Sequence, residues 1–596
     1  MNTNSKSPDL TGEDKALIDT VSNFLEEQVG LHLNFNEQKE YESALEVDEA
    51  IPSNEPLYTL AQQKEIQGNL IPGFKKDRQA FLFLRIGSEA KAKTFLNWLA
   101  PQITNMSEVL DFKKKHKAAQ ALSGQLEPTF TGDLEGVTWV NVAFSFQGLV
   151  KLVGAAEADH FQDEAFVQGM KNRSGLLGDP VEGEPGTDAS WKFGGQHEPV
   201  DVVLSIAADL AEDRDQKVKE LTDQARAHDF KLVYTQNADA MPNPLTGHEH
   251  FGFKDGISDP AVRGIVQLES GRKEYIYARY IDERKESADS DKDRSRYYSK
   301  PGQQLVWPGQ FLVGEPRQNP YDLTDVFQQE TEPKFPTWAR LGSYMVCRRL
   351  EQDVPAFWAF VDRTAKALGI DRNRFAAQLI GRWPSGAPVM RSPLADNLEE
   401  GGDDLVNNHF LFDDQTREIH LKKPRMTVPG TPDHDMLGLV CPHFAHIRKM
   451  HLRDSPTDLG PVTDTATRLI LRRGIPYGPS LWTRSSEIDE DLINESRGLM
   501  FVCFNTSIVD QFEFISNKWA NSPIQPNLGG HDPIIGQTHA GGGKRYIDMP
   551  VKDEAQPLGY RMERVELNEP FVTPTGGEYF FTPPISALMK AGKIGG

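Results

Sequence analysis

Residues 80–100, "AFLFLRIGSEAKAKTFLNWLA", contain the pattern that decides the fold. Six of the first seven (80–86) are apolar or aromatic, which predicts a buried strand, and Ser88 stands where the N-cap of a following helix is expected. A strand followed directly by a helix opens a domain in which a sheet is covered by helices. The fold class then depends on how this unit recurs along the chain.

Strands and helices recur in two similar series. In the first series we predict strands at "VTWVNVAFSF" (137–146) and "VDVVLSIAAD" (200–209) and helices at "QGLVKLVGAA" (147–156) and "DRDQKVKELTDQARAHD" (213–229). In the second we predict a helix at "DVPAFWAFVDRTAKALG" (353–369) and strands at "GSYMVCRRL" (342–350), "MLGLVCPHFA" (436–445), "TRLILRR" (467–473) and "GLMFVCFNTS" (498–507). Each series has about four strands and two helices without strict alternation. This pattern favours two α+β domains with antiparallel sheets over one doubly wound sheet.

The domain boundaries follow from these series. Residues 1–64 are polar and acidic with one amphipathic stretch, "KALIDTVSNFLEEQVGLHL" (15–33), and we interpret them as an N-terminal extension. The two domains are expected at 65–330 and 331–596. The charged segment at 282–300 has few apolar residues and is expected to be an exposed loop.

Composition and charge exclude several classes of protein. The chain has 596 residues, of which 38% are hydrophobic and 26% charged, as is usual for a folded globular protein. A net charge of −22 argues against nucleic acid or an anionic membrane surface as a partner. Three scattered cysteines are too few for a disulfide framework, and neither a signal peptide nor a membrane helix is evident. We therefore expect reduced core thiols and a cytoplasmic location, and the oligomeric state stays open.

The densest group of reactive side chains is "CPHFAHIRKMHLR" (441–453). His443 and His446, with His451 or Cys441, offer ligands for zinc, although this spacing does not complete a tetrahedral site. Each histidine also fits a packed core. A third interpretation is one axial ligand to haem iron, for which the segment provides an imidazole and nearby cations for the propionates.

Two further segments are candidates for chemistry. In "FGFKDGISDP" (251–260), glycines on both sides of Asp255 allow a tight turn that holds its carboxylate in a pocket, although a plain Asp-Gly turn also explains them. In "LRRGIPYG" (471–478), two adjacent arginines end an apolar strand and should point to opposite faces, so only one readily enters a given pocket. A surface ion pair is the alternative for these arginines.

Together these segments resemble the dye-decolorising peroxidases, a haem peroxidase family with two ferredoxin-like domains. "GFKDG" looks like the GxxDG motif of that family, "CPHFAHIRKMHLR" resembles its proximal-histidine segment, and "RRGIPYG" resembles its distal-arginine segment. The resemblance runs from about residue 65 to the C-terminus through further segments in the same order: "IQGNLIPGF" (66–74), "PGQFLVGEP" (308–316), "GRWPSGAP" (381–388), "FVCFNTSIVDQFEFI" (501–515) and "GGEYFFTPPISAL" (576–588). It implies an α+β fold of two ferredoxin-like domains, with the haem held mainly by the C-terminal domain.

The resemblance also implies roles for individual residues. His446, in the family's A-H-I-R-K run, matches the proximal iron ligand, and Arg453 matches an arginine that pairs with a haem propionate. Asp255 matches the distal acid and Arg472 the distal arginine. Asp510 is a candidate acceptor for the second imidazole nitrogen. Apart from the resemblance, Tyr477 is a candidate surface residue for relaying electrons from bulky substrates because it lies five residues after Arg472, and a packed aromatic is the alternative.

The implied function is that of a peroxidase with haem b. Such an enzyme reduces hydrogen peroxide and oxidises dyes, phenols or other aromatic reductants through a ferryl intermediate. Asp255 would move the peroxide proton, and Arg472 would stabilise the negative charge that develops as the O–O bond breaks. The alternative function is a haem-binding or haem-processing protein of the same fold, which has no need of both distal residues.

Overall fold

The computed structural model describes most of the chain after residue 55. The described residues are 56, 58–113, 137–263, 277–278, 298–299, 302–320, 326–327, 335–403, 406–413, 432, 434–455, 457, 462–482, 492–537, 544–556 and 559–590. All of them belong to one compact unit. The predicted N-terminal helix at 15–33 and nearly all of the predicted charged loop at 282–300 lie outside these residues.

The first four strands form one half of a large antiparallel sheet. They are β1 (Arg78–Ile86), β2 (Trp139–Phe144), β3 (Val202–Ala208) and β4 (Phe230–Asp239), and they lie in the order β2-β3-β1-β4. All three neighbouring pairs are antiparallel. Helices connect β1 to β2 and β3 to β4, so this is the βαββαβ arrangement of a ferredoxin-like domain.

Strand β1 and the helix after it match the opening pattern of the sequence. The Ser88 side chain accepts a hydrogen bond from the Lys91 amide and so caps the helix Glu89–Leu99. Along β1, Leu82 and Leu84 pack on the side of the helices, whereas Phe81 and Phe83 belong to the core on the opposite face of the sheet. Both faces of this strand are therefore buried.

The second half of the sheet repeats the same strand order. Six two-residue strands follow the first half: β5 (Ala261–Val262), β6 (Tyr277–Ala278), β7 (Tyr298–Ser299), β8 (Leu305–Val306), β9 (Arg317–Gln318) and β10 (Val326–Phe327). The later strands are β11 (Ser343–Gln352), β12 (Leu471–Arg472), β13 (Ile475–Tyr477), β14 (Gly498–Asn505), β15 (Tyr546–Lys552), β16 (Tyr560–Glu566) and β17 (Val572–Thr582). The order here is β12-β14-β11-β17, with β13 also paired to β14 and all pairs antiparallel. β17 meets β2 at one residue pair, Phe581 with Phe144, which joins the halves into a nine-stranded sheet.

The helices are mostly short. In chain order they are α1 (Leu60–Glu65), α2 (Glu89–Leu99), α3 (Phe146–Val153), α4 (Ala155–Ala158), α5 (Glu164–Gln168), α6 (Ser174–Leu177), α7 (Ala211–Ala227), α8 (Val354–Leu368), α9 (Arg372–Ile380), α10 (Leu398–Gly402), α11 (His446–Met450), α12 (Val462–Ala466) and α13 (Ile585–Lys590). Two π-helical turns occupy Ile508–Glu513 and Ile515–Ala520. No helix in the described part of the chain is long and apolar enough to cross a membrane.

The predicted α+β class with ferredoxin-like, antiparallel sheets is confirmed, with corrections to its elements. Strands β15, β16 and β17 were not predicted, although part of β17 lies in the segment "GGEYFFTPPISAL" that carries the resemblance. Strand β4 was also missed, because the apolar residues of "FKLVYTQNAD" do not alternate regularly with polar ones and its burial is partial. The strand predicted at 436–445 is wrong. There the Asp435 carboxylate accepts the amides of 439, 440 and 441, and Gly438 has a φ of +66°, so the chain turns instead of extending. The domain boundaries at 64/65 and 330/331 stay predictions.

Candidate active site

The distal loop, residues 249–256, presents Asp255. It turns at Gly252 (φ +97°) and Gly256 (φ +77°), conformations that favour glycine. The Glu249 carboxylate accepts the amides of Phe251 and Phe253, each at 2.9 Å, and so closes the loop. The loop is thereby shaped by its two glycines and by the Glu249 side chain.

Further bonds attach this loop to the core. Gln352, at the end of β11, donates to the Glu249 carboxylate at 2.5 Å. Trp358 and Trp482 donate their indole N–H groups to the carbonyls of Phe251 and His250, at 3.2 and 3.0 Å. Burial raises the pKa of Glu249 to about 7 against the opposing effect of its three donors.

Arg472 connects the distal loop to the sheet. It lies on β12, and its Nη1 donates to Asp255 Oδ1 at 2.8 Å while its Nε donates to Asp259 Oδ1 at 3.0 Å. Burial opposes ionisation of Asp255, but Arg472 and the Gly256 amide outweigh it and lower the pKa of this carboxyl. Asp255 is therefore a carboxylate at neutral pH, beside a fixed cation.

The neighbouring arginine points away from Asp255. Arg473 donates from Nε to the carbonyl of Asn69 at 3.1 Å and from Nη2 to that of Leu70 at 3.2 Å. Both arginines approach Asp259, Arg472 at 3.0 Å and Arg473 at 3.8 Å, but only Arg472 reaches Asp255, as expected of a pair of which one enters the pocket. Arg473 holds the "IQGNLIPGF" segment, and Arg472 enters the site.

His446, the first residue of α11, has its two nitrogens in different surroundings. Nδ1 is 2.8 Å from Asp532 Oδ2, and Nε2 forms no hydrogen bond with the described residues. Asp532 is fully buried, and its other oxygen accepts the amides of Ile534 and Ile535. The predicted acceptor Asp510 is wrong, because its side chain accepts from the Ser507 hydroxyl instead. Asp532 takes this role, 86 residues along the chain from His446.

His446, Asp255 and Arg472 share one hollow inside the protein. Protein surrounds all three groups, and the charges of Arg472 and Asp255 act on the pKa of His446. Yet 25% of the His446 side chain, 28% of Arg472 and 40% of Asp255 remain accessible to water. This combination is expected of side chains around a recess that water enters, which we call the cavity.

Comparison with known proteins decides the family. Residues 65–242 match the model of the DyP dimeric alpha+beta barrel domain. The dye-decolorizing peroxidase of Mycena epipterygia is 30% identical over 541 residues, which cover 88% of this chain and 85% of that protein. The chain belongs to the dye-decolorising peroxidase family. It is therefore a peroxidase, and the predicted enzyme class is confirmed.

Other relatives and solved structures agree. The multifunctional dye peroxidase of an Amycolatopsis species is 28% identical, and the alignment covers 88% of this chain and 95% of that protein. An ancestral D-type dye-decolorizing peroxidase superposes with a TM-score of 0.64 at 31% identity, covering 88% of this chain and 98% of that structure. The fungal DyP-type peroxidase of Auricularia auricula-judae superposes with a TM-score of 0.62 at 26% identity, and the superposition covers 90% of this chain and 99% of that structure.

Peroxidases of this family are haem enzymes, and buried polar atoms beside the cavity fit that group. His451 Nδ1 and Gln304 Nε2 are buried without a hydrogen-bond partner, although the other atoms of these side chains bond to each other at 3.2 Å. Burial, together with the charges of Arg453, Arg472 and Arg382, lowers the pKa of His451 to about 3. A neutral imidazole and an amide donor among arginines form a surrounding suited to anionic carboxylates such as propionates.

Arg453 and Arg382 are both anchored on Asn408. Arg453 has a φ of +53° and donates to the carbonyls of Asn408 and Phe410 at 2.9 and 2.8 Å. Arg382 donates to Asn408 Oδ1 at 2.9 Å and to the Ser258 hydroxyl at 2.8 Å. The hydrogen bonds of Arg382 end on neutral oxygens, so its charge can act on a ligand. From the sequence, His451 was considered only as a zinc ligand or a core residue, and Arg382 and Gln304 had no role, although His451 and Arg382 lie in the segments "CPHFAHIRKMHLR" and "GRWPSGAP" that carry the resemblance.

The other predicted residues lie elsewhere. Both nitrogens of His443 contact backbone carbonyls, of Leu528 at 2.9 Å and of Met436 at 3.1 Å, and no metal-binding cluster of histidine, cysteine or acidic residues occurs among the described residues. Tyr477 is 1% exposed and packs under Arg349, whose guanidinium carbon is 4.1 Å from the ring centroid. The prediction of Tyr477 as a surface relay is therefore wrong. Cys347, Cys441 and Cys503 are free and buried, as predicted.

Proposed function

We propose that this peroxidase binds haem b in the cavity between His446 and the Asp255–Arg472 pair. His446 is the iron ligand, because Asp532 holds its Nδ1 proton and leaves the lone pair of Nε2 toward the cavity. Arg453 holds a propionate together with its neighbour Arg382. The haem, when bound, supplies the redox-active iron that takes two electrons from substrates and passes them to peroxide.

The distal pair moves the peroxide proton. Asp255, ionised beside Arg472, accepts a proton from one oxygen of hydrogen peroxide and returns it to the other oxygen as the O–O bond breaks. Arg472 is held between two carboxylates, so its guanidinium stays charged and fixed where negative charge develops. The water-accessible cavity gives a small oxidant access to both groups.

Aromatic and dye-like molecules are the proposed reducing substrates. The relatives are named dye-decolorizing peroxidases, and the cavity residues suit peroxide better than a bulky dye. Electrons from such molecules would pass through the protein. A cytoplasmic location is also part of the proposal, supported by the three unpaired cysteines.

One observation carries the assignment: Arg472 bridges Asp255 and Asp259 on the same cavity as His446. A protein that only stores or processes haem needs the ligand but not this distal charge pair. The test is the visible spectrum of the purified protein reconstituted with haem, before and after peroxide. We expect a histidine-ligated ferric spectrum that changes within the mixing time and returns when an aromatic reductant is added. A spectrum that peroxide leaves unchanged would favour the haem-binding alternative.

A further inference from the structure

Two buried cations lie close to the proximal pair, His446 and Asp532. Lys449 is 1% exposed and Arg545 is 2% exposed. Neither forms a salt bridge with a described residue, and Asp532 is the carboxylate whose charge acts on both. Buried cations without an adjacent acid are rare because removing a charge from water is costly.

Lys449 lies one turn of α11 after His446. Its Nζ donates three hydrogen bonds of 2.8 Å, to the carbonyls of Ser522, Gln525 and Gly530. Three donated bonds use all three hydrogens of an ammonium group, so this geometry fits the charged form. Burial lowers the pKa of Lys449 to about 7.

Arg545 lies 13 residues after Asp532 and bonds to its backbone. Its Nη2 donates to the backbone carbonyls of Asp532 and Pro533, at 3.1 and 3.3 Å. Its Nε and Nη1 are buried and make no hydrogen bond. The cation is therefore only partly satisfied by the backbone, and its charge remains to act on Asp532.

The backbone already fixes the position of Asp532. Its amide donates to the carbonyl of Ala520 at 3.0 Å, and its Oδ1 accepts the amides of Ile534 and Ile535 at 2.8 and 2.9 Å. These backbone bonds hold the Asp532 carboxylate, whereas the two cations reach only backbone carbonyls in this segment. What Lys449 and Arg545 add is positive charge in an interior of low dielectric constant.

We propose that Lys449 and Arg545 raise the reduction potential of the iron bound to His446 by limiting the negative charge that Asp532 lends to the imidazole. A carboxylate acceptor makes a ligand imidazole more basic and its iron richer in electrons. Two buried cations close enough for their charge to act on this carboxylate oppose that effect, and they also favour the reduced iron directly. Every group keeps its protonation state. The inference rests on the proposed ligand role of His446, and it gives Lys449 and Arg545 an electrostatic effect that reaches the iron through Asp532 and His446.

The experiment measures midpoint potentials of the haem-loaded full-length protein by spectroelectrochemical titration at about pH 6, where Lys449 is charged. Arg545→Gln removes a charge but retains an amide donor, and Arg545→Lys retains the charge. Lys449→Gln is the equivalent change at the second cation. Arg564→Gln is the matched control, since Arg564 follows on the neighbouring strand β16, carries the same charge and is 58% exposed.

We expect Arg545→Gln and Lys449→Gln to shift the midpoint potential to lower values, with a rise in the iron–histidine stretching frequency of the ferrous protein. Arg545→Lys and Arg564→Gln should stay near the wild type. Equal potentials for Arg545→Gln and Arg564→Gln, or a shift to higher values from a displaced Asp532, would overturn the inference. If Lys449→Gln does not fold, the comparison of Arg545→Gln with Arg545→Lys still tests the inference. A wild-type protein without a histidine-ligated spectrum would instead refute the proposed function.

Discussion

At the scale of single residues, the two histidines of "PHFAH" differ in what holds them. His446 bonds to a buried carboxylate through one nitrogen only, whereas His443 contacts backbone carbonyls through both. We expect His446→Ala to lose most of the bound haem and the histidine-ligated spectrum. His443→Ala should keep both and cost about 0.5–1.5 kcal/mol in unfolding free energy, the usual contribution of one hydrogen bond, because its contacts with the two backbone carbonyls are exposed. Absorption spectra and denaturant titrations of both variants test this, and the reverse pattern would move the ligand to His443.

The two distal residues have different expected roles: Arg472 supplies a fixed positive charge and Asp255 transfers a proton. Arg472→Leu should slow the reaction of the haem-loaded enzyme with peroxide by about 10²- to 10³-fold, the usual effect of losing one preorganised electrostatic group. Asp255→Asn should slow it by about 10²- to 10⁴-fold, because asparagine fits the turn but accepts no proton. Stopped-flow mixing with peroxide gives both rates. Wild-type rates in both variants, with haem retained, would show that the distal assignment is wrong.

The same pair predicts a change in pH dependence. Arg472 holds the pKa of Asp255 below its ordinary value, so the carboxylate that accepts the proton is present down to acidic pH. Without Arg472, burial is the largest remaining influence and raises that pKa. The acidic limb of the rate against pH should therefore move to higher pH in Arg472→Leu, beyond the general loss of rate. An unchanged limb would mean that another group controls it.

At the scale of elements, the distal loop depends on a residue outside the GxxDG motif. Glu249 accepts two amides of the loop and is itself held by Gln352 on β11. Glu249→Ala leaves these buried donors unsatisfied and should cost about 1–3 kcal/mol in unfolding free energy. Peroxide reactivity should fall as Asp255 loses its fixed position, while haem binding persists.

Glu249→Gln is the matched control for that prediction. Its amide retains one oxygen acceptor, so both stability and rate should lie between wild type and Glu249→Ala. Chemical denaturation and stopped-flow rates of the wild type, Glu249→Ala and Glu249→Gln test this order. Equal behaviour of Glu249→Ala and wild type would show that Gly252 and Gly256 shape the loop unaided.

Elements with strong local patterns could be predicted from the sequence, and long-range partners could not. The apolar run of β1 and the capping serine of α2 are local signals, and they appear where expected. The acceptor of His446 is Asp532, which neither motif nor spacing connects to it. The apolar residues at 436–445 resemble a strand, but the fixed bonds of Asp435 turn the chain there.

At the scale of the whole molecule, the repeated strand order explains how distant segments form one site. In each half the strands lie in the order second, third, first, fourth, and the halves meet at β2 and β17. Asp255 follows the last strand of the first half, and Arg472 lies on the second strand of the other. The distal ion pair therefore joins residues 217 positions apart. The order of motifs along the chain predicted this combination, but only the fold shows the contact.

The last prediction concerns where the folded body begins. Tyr58 is 8% exposed, its hydroxyl donates to Glu315 at 3.2 Å, and Glu65 accepts the amide of Ser586. A chain that starts at Pro56 should thus bind haem and melt like the full-length protein. A chain that starts at Glu65 should still bind haem but lose about 1.5–3 kcal/mol, the contribution of one large buried side chain.

Tyr58→Ala in the full-length chain separates the side chain from the rest of the segment, and it should account for most of that loss. Thermal and denaturant unfolding of the three variants, each loaded with haem, provides the comparison. If the chain that starts at Pro56 fails to retain haem, residues 1–55 contribute to the cofactor site and are not an extension. If the chain that starts at Glu65 is as stable as the full-length protein, the packing of Tyr58 is energetically neutral and the body begins where the family resemblance begins.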